Sequence, residues 1–220
     1  MSKLVKATIV ERVVEVNQEL PRKVCVIAVE QFIEIMIESL VNGVSIRIPR
    51  AGKLVPYFKK GGRPVRNIKT QEVMPMQDRI VVSFSLSTTK TDRNGTFIPR
   101  KNPSEMMQEL AERPVLLERL ERSTRGRLSP EEMKKLTRTL AEDVVRLFGE
   151  LFCEYRNQCL PVEIRGLGSF RTSKMNYKSV RNPKTGEMLD VTDNNQPLRT
   201  VFREGRELKK ALAERLAESA

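Results

Sequence analysis

Histidine and tryptophan are absent from this 220-residue chain, and cysteine is scarce. Without histidine, the chain lacks the side chain most often used as a general base and as a metal ligand. The three cysteines form no Cys-x-x-Cys pair, and Cys25 and Cys153 lie in apolar helical stretches typical of small buried side chains. The composition therefore argues against metal chemistry and histidine-based catalysis, and we expect neither a cofactor nor a small-molecule substrate.

Aromatic residues and long apolar runs are also scarce. Aromatic residues make up 5% of the chain, which leaves little for a platform on which single-stranded nucleic acid could stack. No apolar stretch approaches the ~18 residues of a membrane span, and the N-terminus opens directly into an amphipathic pattern. We expect a cytoplasmic protein without a membrane partner.

Positive charge is abundant. Lysine and arginine total 40 against 28 acidic residues, which gives a net charge of +12, while 39% hydrophobic residues suffice for a packed core. A strongly basic folded domain favours a polyanionic partner, and nucleic acid is the first candidate. Because aromatic residues are few, the composition favours a duplex over a single strand.

The hydrophobic periodicity predicts helices and strands in alternation, an α+β class. Helices are predicted at 4–18, 22–41, 103–113, 115–122, 130–158 and 203–217, and strands at 44–48, 73–86 and from Val162. The second helix is apolar around so much of its circumference that it must be covered on several sides. A second copy of the unit, or a second chain, is therefore required.

Two basic segments that contain no acidic residue, 55–71 and 171–184, are predicted to leave the body as β-hairpins. The second reaches a turn at Asn182-Pro183-Lys184-Thr185-Gly186, where proline fixes φ and glycine supplies positive φ. Ordinary charge runs are solvated faces, but the exclusion of acids from both runs favours a functional surface.

An internal repeat relates the two halves. Phe32, Ile46, Ile48 and Gly52 recur as Phe148, Val162, Ile164 and Gly168, each displaced by 116 residues, and Arg66-Asn67 recurs as Arg181-Asn182, displaced by 115. The first half departs from the second at its corner and tip. Arg50, Ala51 and Leu54 stand opposite Gly166, Leu167 and Phe170, Ile68 stands opposite Pro183, and Gln71 opposite Gly186, so we expect unequal arms.

These residues resemble the HU/IHF family of bacterial histone-like DNA-binding proteins. The resemblance lies in Gly-Leu-Gly-Ser-Phe at 166–170, Arg-Asn-Pro-Lys-Thr-Gly at 181–186, and the return with Pro197, Phe202 and Gly205. It implies two HU/IHF-like repeats, each a helical body with a β-hairpin arm, fused as a single-chain pseudo-dimer. We expect the first repeat at 1–90, a linker at 91–102 and the second repeat at 103–220. The helix at 103–113 is either the closing helix of the first repeat or part of the connection.

The resemblance also implies that both arms contact double-stranded DNA. The residues assigned to DNA are Lys59, Lys60, Arg63, Arg66, Lys69, Arg171, Lys174, Lys178, Arg181, Asn182 and Lys184. Pro183 is the expected wedge that enters the minor groove and kinks the duplex, and Ile68 is its counterpart in the first arm. The alternatives are that Pro183 only shapes the turn and that Ile68 packs against its own arm.

The resulting hypothesis is an architectural, nucleoid-associated protein of a bacterium or phage that bends DNA. Its alternative is a structural or protein-interaction module, for a virion or a recombinase, that keeps the fold without bending DNA. An enzyme is not expected, because Asp143, Asp190 and Asp193 form no recognisable ligand set. A monomeric pseudo-dimer and a homodimer that exchanges halves both satisfy the need to cover the long helices.

Overall fold

Helices form the body of the protein in the computed structural model, which describes residues 3–62, 64–66, 71–86, 98–177, 179–181, 186–190 and 196–218. They are α1 (Lys6–Val16), α2 (Arg22–Val41), α3 (Pro103–Ala111), α4 (Pro114–Thr124), α5 (Pro130–Asn157) and α6 (Arg206–Glu218). Each lies within a few residues of a helix that the sequence predicts.

The two long helices, α2 and α5, lie at the centre and pack against each other. α2 buries residues around most of its circumference, from Val24 through Phe32 to Leu40, as the apolar pattern requires. α5 begins at a capping box, in which the Ser129 backbone N–H donates to the Glu132 carboxylate at 2.8 Å and Glu132 N donates to Ser129 Oγ at 3.3 Å. Pro130 occupies the first helical position, where no backbone donor is needed.

Short strands build two similar sheets and two ribbons. The strands are β1 (Leu4–Val5), β2 (Ser45–Ile48), β3 (Gly52–Lys59), β4 (Pro64–Arg66), β5 (Val73–Pro75), β6 (Arg79–Ser85), β7 (Arg100–Lys101), β8 (Val162–Ile164), β9 (Gly168–Lys174), β10 (Ser179–Arg181), β11 (Met188–Asp190) and β12 (Leu198–Glu204). One sheet has the order β6-β3-β2-β7 and the other β1-β8-β9-β12, while β4-β5 and β10-β11 form separate two-stranded ribbons.

The two halves are interlocked through their edge strands. β1, from the first half, pairs in parallel with β8 of the second, with Leu4 opposite Val162. β7 pairs in parallel with β2 of the first half, with Lys101 opposite Ile46. Since Ile46 and Val162 are repeat equivalents, Lys101 takes the place of Leu4. The sequence predicts neither two-residue strand, because a pair of residues carries no periodicity.

This pairing also identifies the role of α3. β7 followed by α3 repeats the arrangement of β1 followed by α1, and α3 packs against both long helices as α1 does. α3 is therefore the opening helix of the second half, rather than the closing helix of the first. α4 is an additional helix, which lies against α2 and α5.

The corner before each arm depends on a glycine. Gly52 and Gly168 have φ values of 141° and 150°, a region that side chains rarely adopt. A Cβ atom at Gly52 would lie 2.7 Å from the Ser85 carbonyl oxygen, and one at Gly168 would lie 2.3 Å from the Arg203 carbonyl oxygen. Glycine allows the outgoing strand to pass directly beside the returning one.

Candidate nucleic-acid interface

Each half projects a two-stranded arm from its sheet. In the first arm, β3 and β6 form the base, with Leu54 opposite Phe84 and Lys59 opposite Arg79. The ladder is interrupted, and β4 and β5 then form the tip ribbon, which ends with Arg66 opposite Val73.

The second arm has the same construction. β9 and β12 form its base, with Phe170 opposite Phe202, and β10 and β11 form its tip ribbon, which ends with Arg181 opposite Met188. Phe84 follows Leu54 by 30 positions, whereas Phe202 follows Phe170 by 32, so the second arm is two residues longer. The arms are therefore unequal in length.

Most of the predicted DNA-contacting residues that the structure describes are exposed on these arms. Lys59, Lys60 and Arg66 are exposed on the first arm, and Arg171 and Lys174 on the second. The backbone of Arg181 is placed at the end of β10. The predicted residues Arg63, Ile68, Lys69, Lys178, Asn182, Pro183 and Lys184 lie outside the described residues.

Like charges face each other at the outer end of the first base. Lys59 lies directly opposite Arg79, and both side chains are exposed. Such a pair is destabilising within an isolated sheet, but it concentrates positive potential where a polyanion could neutralise it. This pairing supports a binding surface over an ordinary solvated face.

Sequence reasoning missed the cations of the returning strands. Arg199 and Arg203 are exposed on β12, on either side of Val201, which lies opposite Arg171. The three arginines therefore share one face of the second base. The available signal was the alternation from Leu198 to Glu204, in which Phe202 is buried while 199, 201 and 203 are exposed.

Exposed apolar side chains flank both tips. Val73 is 65% exposed and Met188 63% exposed, and they occupy equivalent positions opposite Arg66 and Arg181. Pairs of exposed apolar residues at the ends of two ribbons do not contribute to a core. They suit contact with the apolar walls of a groove, and sequence reasoning did not single them out.

In each arm, hydrogen bonds hold the junction between the base strands and the tip ribbon. In the first arm, Gly61 N donates to Asp78 Oδ1 at 2.5 Å and Gly62 N to the Met76 carbonyl at 2.8 Å. In the second, Met175 N donates to the Pro197 carbonyl at 2.9 Å. Below that point, Arg156 Nε donates to Thr200 Oγ1 at 3.1 Å, which ties the second arm to the end of α5.

Two residues of the first half adopt positive φ where the second half has glycine. Arg50 adopts φ 59° where Gly166 has 87°, and Gln71 adopts φ 62° where Gly186 has 75°. These left-handed conformations are disfavoured for residues with a side chain. The positive φ is therefore kept at both positions, and the strain falls on Arg50 and Gln71.

The described residues offer no arrangement typical of a metal enzyme. Within the described ranges, no three histidine, cysteine, aspartate or glutamate side chains group together as metal ligands. Cys25 is fully buried, and burial raises the pKa of its thiol, which disfavours the reactive thiolate. Among the helices of the described residues, none has both the length and the apolar character to cross a bilayer.

The sequence model of the family described as "Bacterial DNA-binding protein" matches the chain twice, at residues 4–93 and 126–213. The chain belongs to that family. As a bacterial DNA-binding protein family member it is a tandem form, with two HU/IHF-type units that build one pseudo-dimeric α+β fold.

Individual relatives of this family member each align with about one unit. Integration host factor subunit beta of Dichelobacter nodosus (strain VCS1703A) is 39% identical over 75 residues, which cover 34% of this chain and 75% of the relative. The same subunit of Teredinibacter turnerae (strain ATCC 39867 / T7901) is 36% identical over 78 residues, 34% of this chain and 76% of the relative. DNA-binding protein HU of Lactococcus lactis subsp. lactis (strain IL1403) is 32% identical over 77 residues, 35% of this chain and 81% of the relative.

Residues 94–125 fall between the two family matches, yet the described part of this segment, 98–125, contributes side chains to the core. Met106 and Leu110 of α3 and Leu116 and Leu120 of α4 are at most 1% exposed. Arg113, between these helices, donates to Glu38 of α2. This tandem family member has therefore rebuilt the opening of its second unit: residues 122–132, displaced by 116 from α1, form the end of α4, a turn and the start of α5.

Proposed function

We propose that this protein is an architectural double-stranded DNA-binding protein. It grips a duplex between two basic arms whose tips enter the minor groove. Apolar residues at the tips, Pro183 and Ile68, act as wedges that open a base step and kink the DNA.

The observation that carries this proposal is the pair of exposed arms with cations along outgoing strands that contain no acid. Lys59 opposite Arg79, and Arg171 between Arg199 and Arg203, concentrate positive charge at both arm bases. Each phosphate that these side chains neutralise releases condensed counterions, so binding is strong at low salt and salt-dependent. Relatives with the names integration host factor and DNA-binding protein HU support the same function.

The tips of the arms are the parts proposed to bend the DNA. Val73 and Met188 present apolar surface beside each tip, opposite Arg66 and Arg181. Unstacking one base step costs ~ a few kcal/mol, which the wider contact of a bent duplex offsets. Arginine beside the wedge suits the negative potential of a narrow minor groove.

Sequence preference is proposed to be modest and indirect. The long helices bury their apolar faces in the core, so no base-reading helix is expected. DNA bendability and groove width would then determine which site is preferred. The two arms differ in length and in charge at their bases, which favours an asymmetric site. The protein then acts on the nucleoid, in the cytoplasm.

Duplex binding across a salt series tests the proposal. The wild-type protein should bind a ~35 base-pair duplex with a Kd in the micromolar range or tighter at low salt, with log K falling linearly against log salt. A triple substitution, Lys59→Ala with Lys60→Ala and Arg66→Ala, should flatten that slope by ~2 to 3, because each lost phosphate contact removes about one unit.

The control is Arg138→Ala, an exposed α5 cation paired with Glu142 at 3.2 Å. It should leave the slope unchanged. No duplex binding by the wild type at low ionic strength would favour the protein-interaction module instead. Plasmid incubated with the protein and Mg²⁺ should stay supercoiled, and nicking would point to an enzyme.

A further inference from the structure

Four cationic side chains line one cleft beside the base of the first arm. Arg47, Arg50, Lys53 and Arg100 surround a volume of about 210 Å³ together with Ile48, Ala51, Gly52 and Leu86. None of the described residues that line the cleft is acidic. At its edge, Arg50 lies 3.9 Å from the carboxylate of Glu150, which also pairs with Arg146 at 3.2 Å.

Like charges face one another in this cleft. Arg47 lies directly opposite Lys53 in the pairing of β2 with β3, a like-charge cross-strand pair that destabilises a sheet. Lys53 is only 6% exposed. Burial, followed by the neighbouring charge of Arg100, lowers the pKa of the Lys53 ammonium group. A bound anion would reduce the repulsion of Arg47, Lys53 and Arg100 for one another.

The second half has a different arrangement at the equivalent position. Glu163 stands where the first half has Arg47, and Lys3 stands where it has Arg100. Lys3 Nζ lies 2.7 Å from the Glu163 carboxylate, and Ser169 replaces the buried lysine. The second half thus supplies its own anion, whereas the first half has exchanged that carboxylate for a fourth cation.

We propose that the cleft formed by Arg47, Arg50, Lys53 and Arg100 binds one phosphate-type oxyanion, on the first half only. The volume is below the ~300 to 1,000 Å³ of pockets for drug-sized ligands, so it fits a single tetrahedral group rather than a nucleotide. Three guanidinium groups offer paired donors that match phosphate oxygens. The phosphate comes either from a duplex that passes the base of the first arm, a source that rests on the proposed function, or from free phosphate.

Thermal unfolding in inorganic phosphate against chloride, at equal ionic strength, tests the site without DNA. The Tm of the wild type should rise by about 5 °C or more at ~100 times the Kd for phosphate. Arg47→Glu restores a carboxylate at the position of Glu163 and should lose most of this rise, as should Arg100→Gln. Arg138→Ala should keep it, which separates site binding from the general stabilising effect of phosphate.

Affinity for the ~35 base-pair duplex identifies the source of the phosphate. If DNA supplies the phosphate, Arg47→Glu should weaken duplex binding ~10-fold or more, with little change for Arg138→Ala. Free phosphate should then also displace the duplex more strongly than chloride does at equal ionic strength. If phosphate is bound free, the Tm response appears while Arg47→Glu retains wild-type duplex affinity. A Tm response that is equal in wild type and Arg47→Glu, together with equal duplex affinity, would overturn the proposal. A protein that binds no duplex at all still gives a readable phosphate titration.

Discussion

Phe32 and Phe148, two repeat-equivalent residues 116 positions apart, pack against each other edge to face in the middle of the molecule. Their ring centroids are 5.3 Å apart at an interplanar angle of 68°, and neither side chain is more than 1% exposed. Since each ring is the counterpart of the other, the pseudo-twofold axis passes between them. The rest of the aromatic cluster is not symmetric: Phe152 continues it from Phe148, whereas Met36 occupies the equivalent position in α2.

Removal of one ring should destabilise both halves together. Phe32→Ala is expected to lower the free energy of unfolding by ~3–5 kcal/mol, the cost of a large cavity in a core. Because the ring lies between α2 and α5, urea unfolding should remain one transition at a lower midpoint. Phe58→Ala, at a ring 50% exposed on the first arm, should change stability by less than ~1 kcal/mol. Two separate transitions would contradict a shared core.

A side chain at Gly168 should be far more costly than one at another glycine with positive φ. Gly168→Ala places a Cβ 2.3 Å from the Arg203 carbonyl, so at least ~2 kcal/mol of stability should be lost. Gly126 has φ 65°, and a Cβ atom there would meet nothing within 4 Å, so Gly126→Ala should cost only ~1–2 kcal/mol for the left-handed conformation. Thermal unfolding of the two variants in parallel measures the difference, and equal losses would contradict the close approach.

The ion pair between Lys3 and Glu163 should appear in the titration of that carboxylate. The hydrogen bond from Lys3, supported by its charge, lowers the pKa of Glu163. A lowered carboxyl pKa stabilises the folded state above the usual carboxyl pKa, and this contribution is lost as pH falls through the lowered value.

Lys3→Ala should therefore raise the Glu163 pKa toward its usual value in a carbon-detected NMR titration. Glu132 is the internal reference, because its pKa is lowered by the Ser129 backbone N–H and should not move. A Glu163 pKa unaffected by Lys3→Ala would show that the strand β1 does not hold the pair together.

The wedge residues should affect bending more than affinity. On a ~35 base-pair duplex labelled at both ends, Pro183→Ala and Ile68→Ala should reduce the energy transfer that reports bending, with little change in Kd. Arg181→Ala and Lys184→Ala should instead weaken binding and flatten its salt slope. An unchanged bend in both wedge variants would remove the intercalation proposal.

The sequence predicted the helices and the arms because capping residues, apolar periodicity and charge act over a few neighbouring positions. The capping box at Ser129 and the proline after it marked the start of α5, and the apolar circumference of α2 required a covering partner. The arms were visible because acid-free basic runs cannot enter a core, which placed Lys59, Arg66 and Arg171 on the surface.

Other features depended on partners distant in the chain. The exchange of β1 and β7 between the halves, and the role of α3 as an opening helix, follow only from strand pairing. Arg199 and Arg203 joined the candidate interface because register places them beside Arg171.

The sequence by itself determined the two repeats, the helices and the basic arms, because periodicity, capping residues and charge act over a few neighbouring positions. Only the tertiary structure decided that Arg47, Lys53 and Arg100 meet in one cleft while Glu163 meets Lys3 in the other half. Arg100 and Lys3 reach these positions because their edge strands pair with segments more than 50 residues away. Register is set by burial of one face across the whole sheet, and no short stretch of sequence contains that information.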